Sequence, residues 1–185
     1  MSEADVRPVA PPMREHAPVP GSAPVRAAAP TPRMVVLGTG HALPTARVSS
    51  AELDLRLGLR PGTVEQAGGV RQRHVAGPGE TAAALAAQAA RRALAAAGLD
   101  WGDIDALVAA SGTPDQAMPS NAALVHRELG LSGLNMPAFD IGASCLGFVA
   151  ALDTLCWAVA AGRYRRVLVV ASDIASCGLD WSTLE

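Results

Sequence analysis

Pro137-Ala-Phe-Asp-Ile-Gly-Ala-Ser-Cys-Leu-Gly-Phe-Val-Ala-Ala-Leu152 is the stretch on which the reading of this chain turns. A short apolar run ending in Asp140-Ile141 reads as a buried strand, Gly142 permits a sharp turn, and a long apolar helix starts at about Cys145. This order lands the Cys145 thiol at a helix N-terminus, where unpaired backbone N–H groups and the macrodipole favour negative charge. A cysteine in that setting has a raised thiolate fraction at neutral pH. A strand–turn–helix elbow is also a recurrent way to hold one nucleophile above a sheet. The competing reading of the same residue is a buried structural cysteine.

Strand and helix patterns alternate on both sides of the elbow. Val35–Leu37 reads as a strand, and Ser49-Ser-Ala-Glu52 as the capping-box start of a short helix. Val70–Val75 is a candidate strand with arginines on one face. Thr81–Ala97 is a helix capped by Thr81 and stopped by Gly98. Then follow a strand at Ala106–Ala110, a helix at Asn121–Leu129 closed by Gly130, and a strand at Ala138–Ile141. Last come the helix Cys145–Ala161, ended by Gly162, and the strand Val167–Ala171. Such alternation predicts an α/β fold with a parallel or mixed sheet and right-handed crossovers. In the helix after Cys145, Phe148, Leu152, Leu155 and Val159 form one stripe, and Leu146, Val149, Cys156 and Trp157 cover much of the rest. A helix apolar nearly all round is expected to be buried on several sides.

Residues 1–33 differ from the remainder. They hold eight of the fourteen prolines and no apolar periodicity, so a disordered Pro/Ala-rich tail is expected there, followed by one domain over residues 34–185. The segment lacks the apolar core of a secretory signal. Half of all residues are hydrophobic, enough for a sizeable core. Fifteen basic against seventeen acidic side chains leave a net charge of −2, which points away from nucleic acid and anionic membranes. No uninterrupted apolar run has transmembrane length. The cysteines at 145, 156 and 177 show neither a disulfide framework nor metal-ligand spacing, and their odd number suggests the reducing cytoplasm.

Several stretches, in order, carry a resemblance. They are Val35-Val-Leu-Gly-Thr-Gly-His-Ala-Leu-Pro44, Gly69-Val-Arg-Gln-Arg-His-Val75, Ala117-Met-Pro-Ser120, the Ala143-Ser-Cys-Leu-Gly-Phe148 elbow and Arg166-Val-Leu-Val-Val-Ala-Ser-Asp173. Together the region from Met34 onward resembles the β-ketoacyl-acyl-carrier-protein synthase III family of the thiolase-like superfamily. The resemblance implies the N-terminal half of an αβαβα layered sandwich with a mixed five-stranded sheet. Met34 stands where the family's chains usually begin, and Glu185 falls just past the last strand of the first half.

The resemblance further implies that Cys145 attacks an acyl thioester and carries the acyl group. A malonyl-carrier thioester then loses CO₂, and its carbanion attacks the acyl carbon to give a 3-oxoacyl product. The family's enolate-stabilising His and Asn come from the second half. The histidines here are poor substitutes: His16 lies in the tail, His41 in the first loop, His74 at a position that is ordinarily structural, and His126 on an expected surface helix. Asp153 fits a hydrogen-bonded packing role. Met118 falls where the family places a residue that crosses the dimer and lines the partner's acyl pocket; filling the core is the other reading. Where family members carry the Trp and Arg that hold the adenine of coenzyme A, this chain has Thr63 and Ala67. That departure favours a carrier-bound or specialised acyl donor. No cofactor is expected: Gly38-Thr-Gly40 lacks the third glycine of a dinucleotide fingerprint, and Gly142–Leu146 departs from a serine-hydrolase elbow at its fifth residue. The expected partners are an acyl thioester, malonyl-acyl-carrier-protein, and either a second copy in a homodimer or a complementing C-terminal half. A non-catalytic half-protein that pairs with a complete synthase is the alternative. A thiol-dependent thioesterase on the same fold comes third.

Overall fold

The computed structural model describes residues 32–179. The expected tail, residues 1–33, therefore lies almost wholly outside the described residues. Five strands and five α-helices follow in chain order within them. Strand β1 (Ala46–Ser49) leads directly into α1 (Ser50–Arg56). Ser49 Oγ accepts the Glu52 N–H at 3.1 Å, the cap that the sequence suggested. Helix α2 (Thr63–Gly68) and strand β2 (Gln72–Val75) come next. Strand β2 pairs antiparallel with β1, Ala46 opposite Val75 and Ser49 opposite Gln72.

Helix α3 (Ala82–Ala97) is capped by Thr81 and ends at Gly98, whose φ of 64° suits glycine. Strand β3 (Ala106–Ala109), helix α4 (Asn121–Glu128), strand β4 (Ala138–Asp140), helix α5 (Gly147–Ala160) and strand β5 (Val167–Val170) complete the order. The sheet order is β4-β3-β5, all parallel. The step from β3 to β4 and the step from β4 to β5 run in opposite directions across the sheet. Right-handed crossovers then require α4 and α5 on opposite faces.

The packing meets that requirement. On one face Leu107, Ala109, Leu168 and Val170 meet Ala86, Ala90 and Leu94 of α3 and Leu124 and Val125 of α4. On the other face Val108 and Ala110 meet Ala151 and Leu155 of α5. Strand β3, covered on both sides, is buried at all four residues. This is the apolar run that a central parallel strand needs.

Several expectations are corrected here. The five strands do not form one mixed sheet: β1 and β2 make a separate antiparallel pair beside a three-stranded parallel sheet. Val35–Leu37 is not a strand; its side chains are exposed, and an apolar cavity of about 740 Å³ separates residues 33–40 from β5. What holds this segment is a close approach to α3. A β-carbon at Gly38 would lie 2.4 Å from Ala93 O, and one at Gly40 2.2 Å from Ala89 O. The glycines of Gly38-Thr-Gly40 thus serve packing, backbone on backbone. Strand β4 is only partly buried, since it lies at a sheet edge. The buried stripe of α5 is Gly147, Ala151 and Leu155, one residue per turn. Phe148, Val149 and Trp157 are exposed, so the helix is covered along one side only.

Carboxylates fix many of the joints between elements. Asp54, 2 % exposed, accepts the N–H groups of Gly62 and Val64 at 2.7 and 2.9 Å. Asp115 accepts those of Ala82 and Ala83 at the start of α3, and Asp140 those of Asn121 and Ala122 at the start of α4. Asp105 accepts Arg166 and Arg165 N–H at 2.8 and 2.6 Å, and these bonds hold its carboxyl below the ordinary carboxylate range. Glu80, bonded by the N–H groups of Gly77 and Thr45, is held down for the same reason. His74 Nδ1 lies 2.5 Å from Pro44 O, consistent with the structural role expected of it. His126 is half-buried within α4, with its Nε2 buried and unpartnered among the described residues, while Arg127 and Glu128 of the same helix are exposed, as on a surface helix. Asp153 is exposed, and its side chain makes no hydrogen bond among the described residues, so the expected hydrogen-bonded packing role finds no partner there.

Candidate active site

In an open parallel sheet, functional groups gather beyond the carboxyl ends of the strands, where the strand order reverses. Three connections meet at that end of this sheet: Ala110–Thr113 after β3, Ile141–Leu146 after β4, and Ala171–Ile174 after β5. Cys145 lies in the second. It occupies a 3-10 turn, Ser144–Leu146, that runs directly into α5. The thiol is exposed, so the reading as a buried structural cysteine does not hold.

The turn is built differently from the expectation. Gly142 does not supply the unusual backbone; nothing would meet a β-carbon there. Ser144 does, with φ of 48°, the only non-glycine residue at positive φ among the described residues. A residue other than Gly, Asn or Asp in this region is uncommon and needs its surroundings to hold it there. Gly147 supplies the close packing. A β-carbon on it would lie 3.4 Å from Ala110 Cβ and 3.6 Å from Ile141 O, so the start of α5 sits against the end of β3. No side chain caps α5, which leaves its first N–H groups facing the turn that carries Cys145.

Beside the elbow stands a carboxylate to which the sequence reading gave no role. Asp173 Oδ1 accepts the N–H groups of Gly112 and Thr113 at 2.6 and 2.8 Å and faces the Thr113 and Ser111 hydroxyls at 3.1 and 3.2 Å. The sequence signal was an acid three residues after a buried strand, at the end of the sheet where the elbow also lies.

Met118 is 84 % exposed and so fills no core of this chain. The peptide joining it to Pro119 is cis. Thr63 and Ala67 lie on α2, which is exposed and carries no aromatic residue. The described histidines, His41, His74 and His126, make no hydrogen bond to the elbow. Among the described residues no group of three His, Cys, Asp or Glu side chains is placed to hold a metal ion, and no helix is long and apolar enough to cross a membrane.

The family model for 3-oxoacyl-[acyl-carrier-protein (ACP)] synthase III matches residues 139–185, the segment that carries the elbow. A β-ketoacyl-[acyl-carrier-protein] synthase III of Novosphingobium aromaticivorans is 42% identical over 149 residues, which cover 80% of this chain and 45% of the relative. Among solved structures, the 3-oxoacyl-[acyl-carrier-protein] synthase III of Aquifex aeolicus is similar with a TM-score of 0.73 at 32% identity, covering 80% of this chain and 47% of that one. The priming β-ketosynthase of the R1128 polyketide biosynthetic pathway gives 0.74 at 32% identity, covering 88% and 48%. The chain thus spans about half the length of the relatives it matches. In sequence and in fold the chain is similar to the N-terminal half of β-ketoacyl-[acyl-carrier-protein] synthase III enzymes.

Proposed function

We propose that this chain supplies the nucleophile-bearing half of a synthase III-type acyltransferase in fatty-acid or polyketide-type biosynthesis. The observation that carries the reading is Cys145, exposed on a positive-φ turn at the head of α5, in a chain whose relatives are named as such synthases. The Cys145 thiolate attacks the carbonyl carbon of an acyl thioester, the donor's thiolate leaves with the proton lost by Cys145, and the acyl group stays on sulfur. Backbone N–H groups at the turn stabilise the tetrahedral oxyanion. In the second stage a malonyl-carrier thioester loses CO₂, and the resulting carbanion attacks the acyl carbon, releasing Cys145 and the 3-oxoacyl product. The donors that steady the enolate in that stage come from a complementing C-terminal half.

Thr63 and Ala67, in place of the aromatic and guanidinium groups that would grip a coenzyme A adenine, favour a carrier-bound acyl donor. Exposed Met118 fits a role across a homodimer, reaching the partner's acyl pocket, and the cytoplasm fits the cysteine pattern. The apolar side chains on the open face of α5 support pairing with a further polypeptide. That same face favours the second reading, a non-catalytic half that pairs with a complete synthase.

One experiment separates the two. The full chain is incubated with acyl-carrier and acyl-N-acetylcysteamine thioesters and weighed intact. One acyl mass added to the wild type and absent from Cys145→Ala supports the enzyme. No adduct, with tight association to a complete synthase, supports the scaffold. The isolated chain is expected not to carry the acyl group on to a 3-oxoacyl product.

A further inference from the structure

The elbow holds Ser144 in a conformation that serine seldom adopts, and something outside the elbow must keep it there. The Ser111–Thr113 loop lies against it. A β-carbon on Gly112 would come within 3.6 Å of both Ser144 Cα and the Ser144 carbonyl carbon, the atom bonded to the Cys145 nitrogen. That loop is fastened in turn to the connection after β5. Asp173 Oδ1 gathers two amides and two hydroxyls from Ser111, Gly112 and Thr113. The Ser111 hydroxyl also lies 2.7 Å from Ser172 O, and Ile174 N–H donates back to Thr113 Oγ1 at 2.9 Å. Every one of these bonds joins the end of β3 to the end of β5, and Ser144 lies against the joined loop.

From this geometry we infer that Asp173 is a positioning residue for Cys145, acting through the Ser111–Thr113 loop on the Ser144–Cys145 peptide. The inference rests on the reading of Cys145 as the nucleophile. Asp173 needs no contact with substrate for this role. Its carboxylate fixes where Gly112 stands, and Gly112 limits how far Ser144 can relax toward an ordinary backbone conformation. Relaxation would swing the Cys145 amide and thiol away from the direction in which α5 presents them. An Asn at 173 keeps an acceptor at the Oδ1 position, whereas an Ala removes all four bonds at once.

The test compares the full-length wild type with Asp173→Ala, Asp173→Asn and the double variant Asp173→Ala/Ser144→Gly. Amide hydrogen exchange is followed in the peptide spanning 142–148, together with the rate of Cys145 acylation by hexanoyl-N-acetylcysteamine at several concentrations. Asp173→Ala is expected to speed exchange at 142–148 and to lower the saturating acylation rate by about tenfold or more, leaving the half-saturating concentration within about twofold. Asp173→Asn is expected to stay within about threefold of the wild type in both. Ser144→Gly in the alanine background is expected to recover most of the lost rate, because glycine holds a positive φ without outside help. Should the alanine variant not fold, Thr113→Val, which removes the hydroxyl that donates to Asp173 and accepts the Ile174 N–H, carries the same comparison with a smaller effect. Faster exchange confined to 111–113 and 172–174, with 142–148 unchanged, would overturn the inference. So would an asparagine variant as damaged as the alanine one. A wild type that takes no acyl group would refute the proposed function, while exchange at 142–148 would still decide the role of Asp173.

Discussion

Leu155 gives the most direct measure of how α5 is held. It is 1 % exposed and, with Ala151, Val108 and Ala110, forms the small core between that helix and the sheet. Leu155→Ala removes three carbons from this contact, and at about 0.8 kcal/mol per buried methylene the transfer loss is about 2.4 kcal/mol. A cavity left unfilled brings such substitutions to about 2–5 kcal/mol in total. The far side of α5 is open, with Phe148, Val149 and Trp157 exposed, so the helix is free to settle inward and fill part of the gap. The expected loss therefore falls in the lower part of the range, about 2–3.5 kcal/mol. It is a large share of a typical stability of about 5–15 kcal/mol. Urea denaturation followed by far-UV circular dichroism reads it as a shift in midpoint at constant slope. In a thermal melt, at about 2–4 °C per kcal/mol, the shift is about 4–14 °C. Val149→Ala, on the exposed side of the same helix, serves as the control and is expected to change stability by about 0.5 kcal/mol or less. If Val149→Ala proved as costly as Leu155→Ala, α5 would be docked on a different face and the three-layer arrangement would be wrong.

Gly40→Ala is expected to lower stability by about 1–3 kcal/mol, because its β-carbon would lie 2.2 Å from Ala89 O, whereas Gly142→Ala meets nothing and is expected to be near neutral; urea midpoints compare them. Asp105 has a lowered pKa, so its contribution to stability is complete above the ordinary carboxylate range and is lost as pH falls through the folded-state value. Asp105→Asn is therefore expected to be less stable than the wild type at neutral pH, with the gap closing below about pH 4; a constant gap would assign the effect to packing. Replacing Phe148 with Ser and Trp157 with Gln is expected to reduce self-association in sedimentation velocity, and an unchanged distribution would show that this face makes no contacts. Iodoacetamide is expected to label exposed Cys145 before Cys156, which is half-buried with its thiol 3.3 Å from Pro32 O; peptide mapping gives the order.

The elements that proved legible are those whose signals are local. Thr81 and Gly98 bound α3 because a cap and a left-handed terminus are set by the residues themselves. The apolar runs of β3 and β5 were plain for the same reason, and the elbow could be placed because strand, turn and helix follow one another without a gap. What sequence alone could not give depends on what lies across space. Val35–Leu37 has the composition of a strand, but a strand needs a partner, and here the cavity beside β5 takes the partner's place. Ala46–Ser49 carries no strong strand signal and becomes β1 only because β2 runs antiparallel beside it. Gly142 drew attention as the turn residue since glycine permits any φ, yet Ser144 took the strained position, beside a loop that is distant in sequence. Asp173 had no visible role for a related reason: its partners are amides and hydroxyls some 60 residues away.

The carboxylate joints have a consequence for how this fold tolerates change. Asp54, Asp105, Asp115 and Asp140 each take two main-chain amides and no side chain of their partners. Residues at the receiving ends, such as Ala82 and Ala83, supply only what every amino acid except proline possesses. Such a joint prescribes the course of the chain while leaving the receiving positions open to almost any substitution that packing allows, with proline the exception. Each acid is therefore narrowly constrained opposite a permissive partner. In a mutational scan that lopsided tolerance would single these aspartates out as though they did chemistry, when what they do is hold corners.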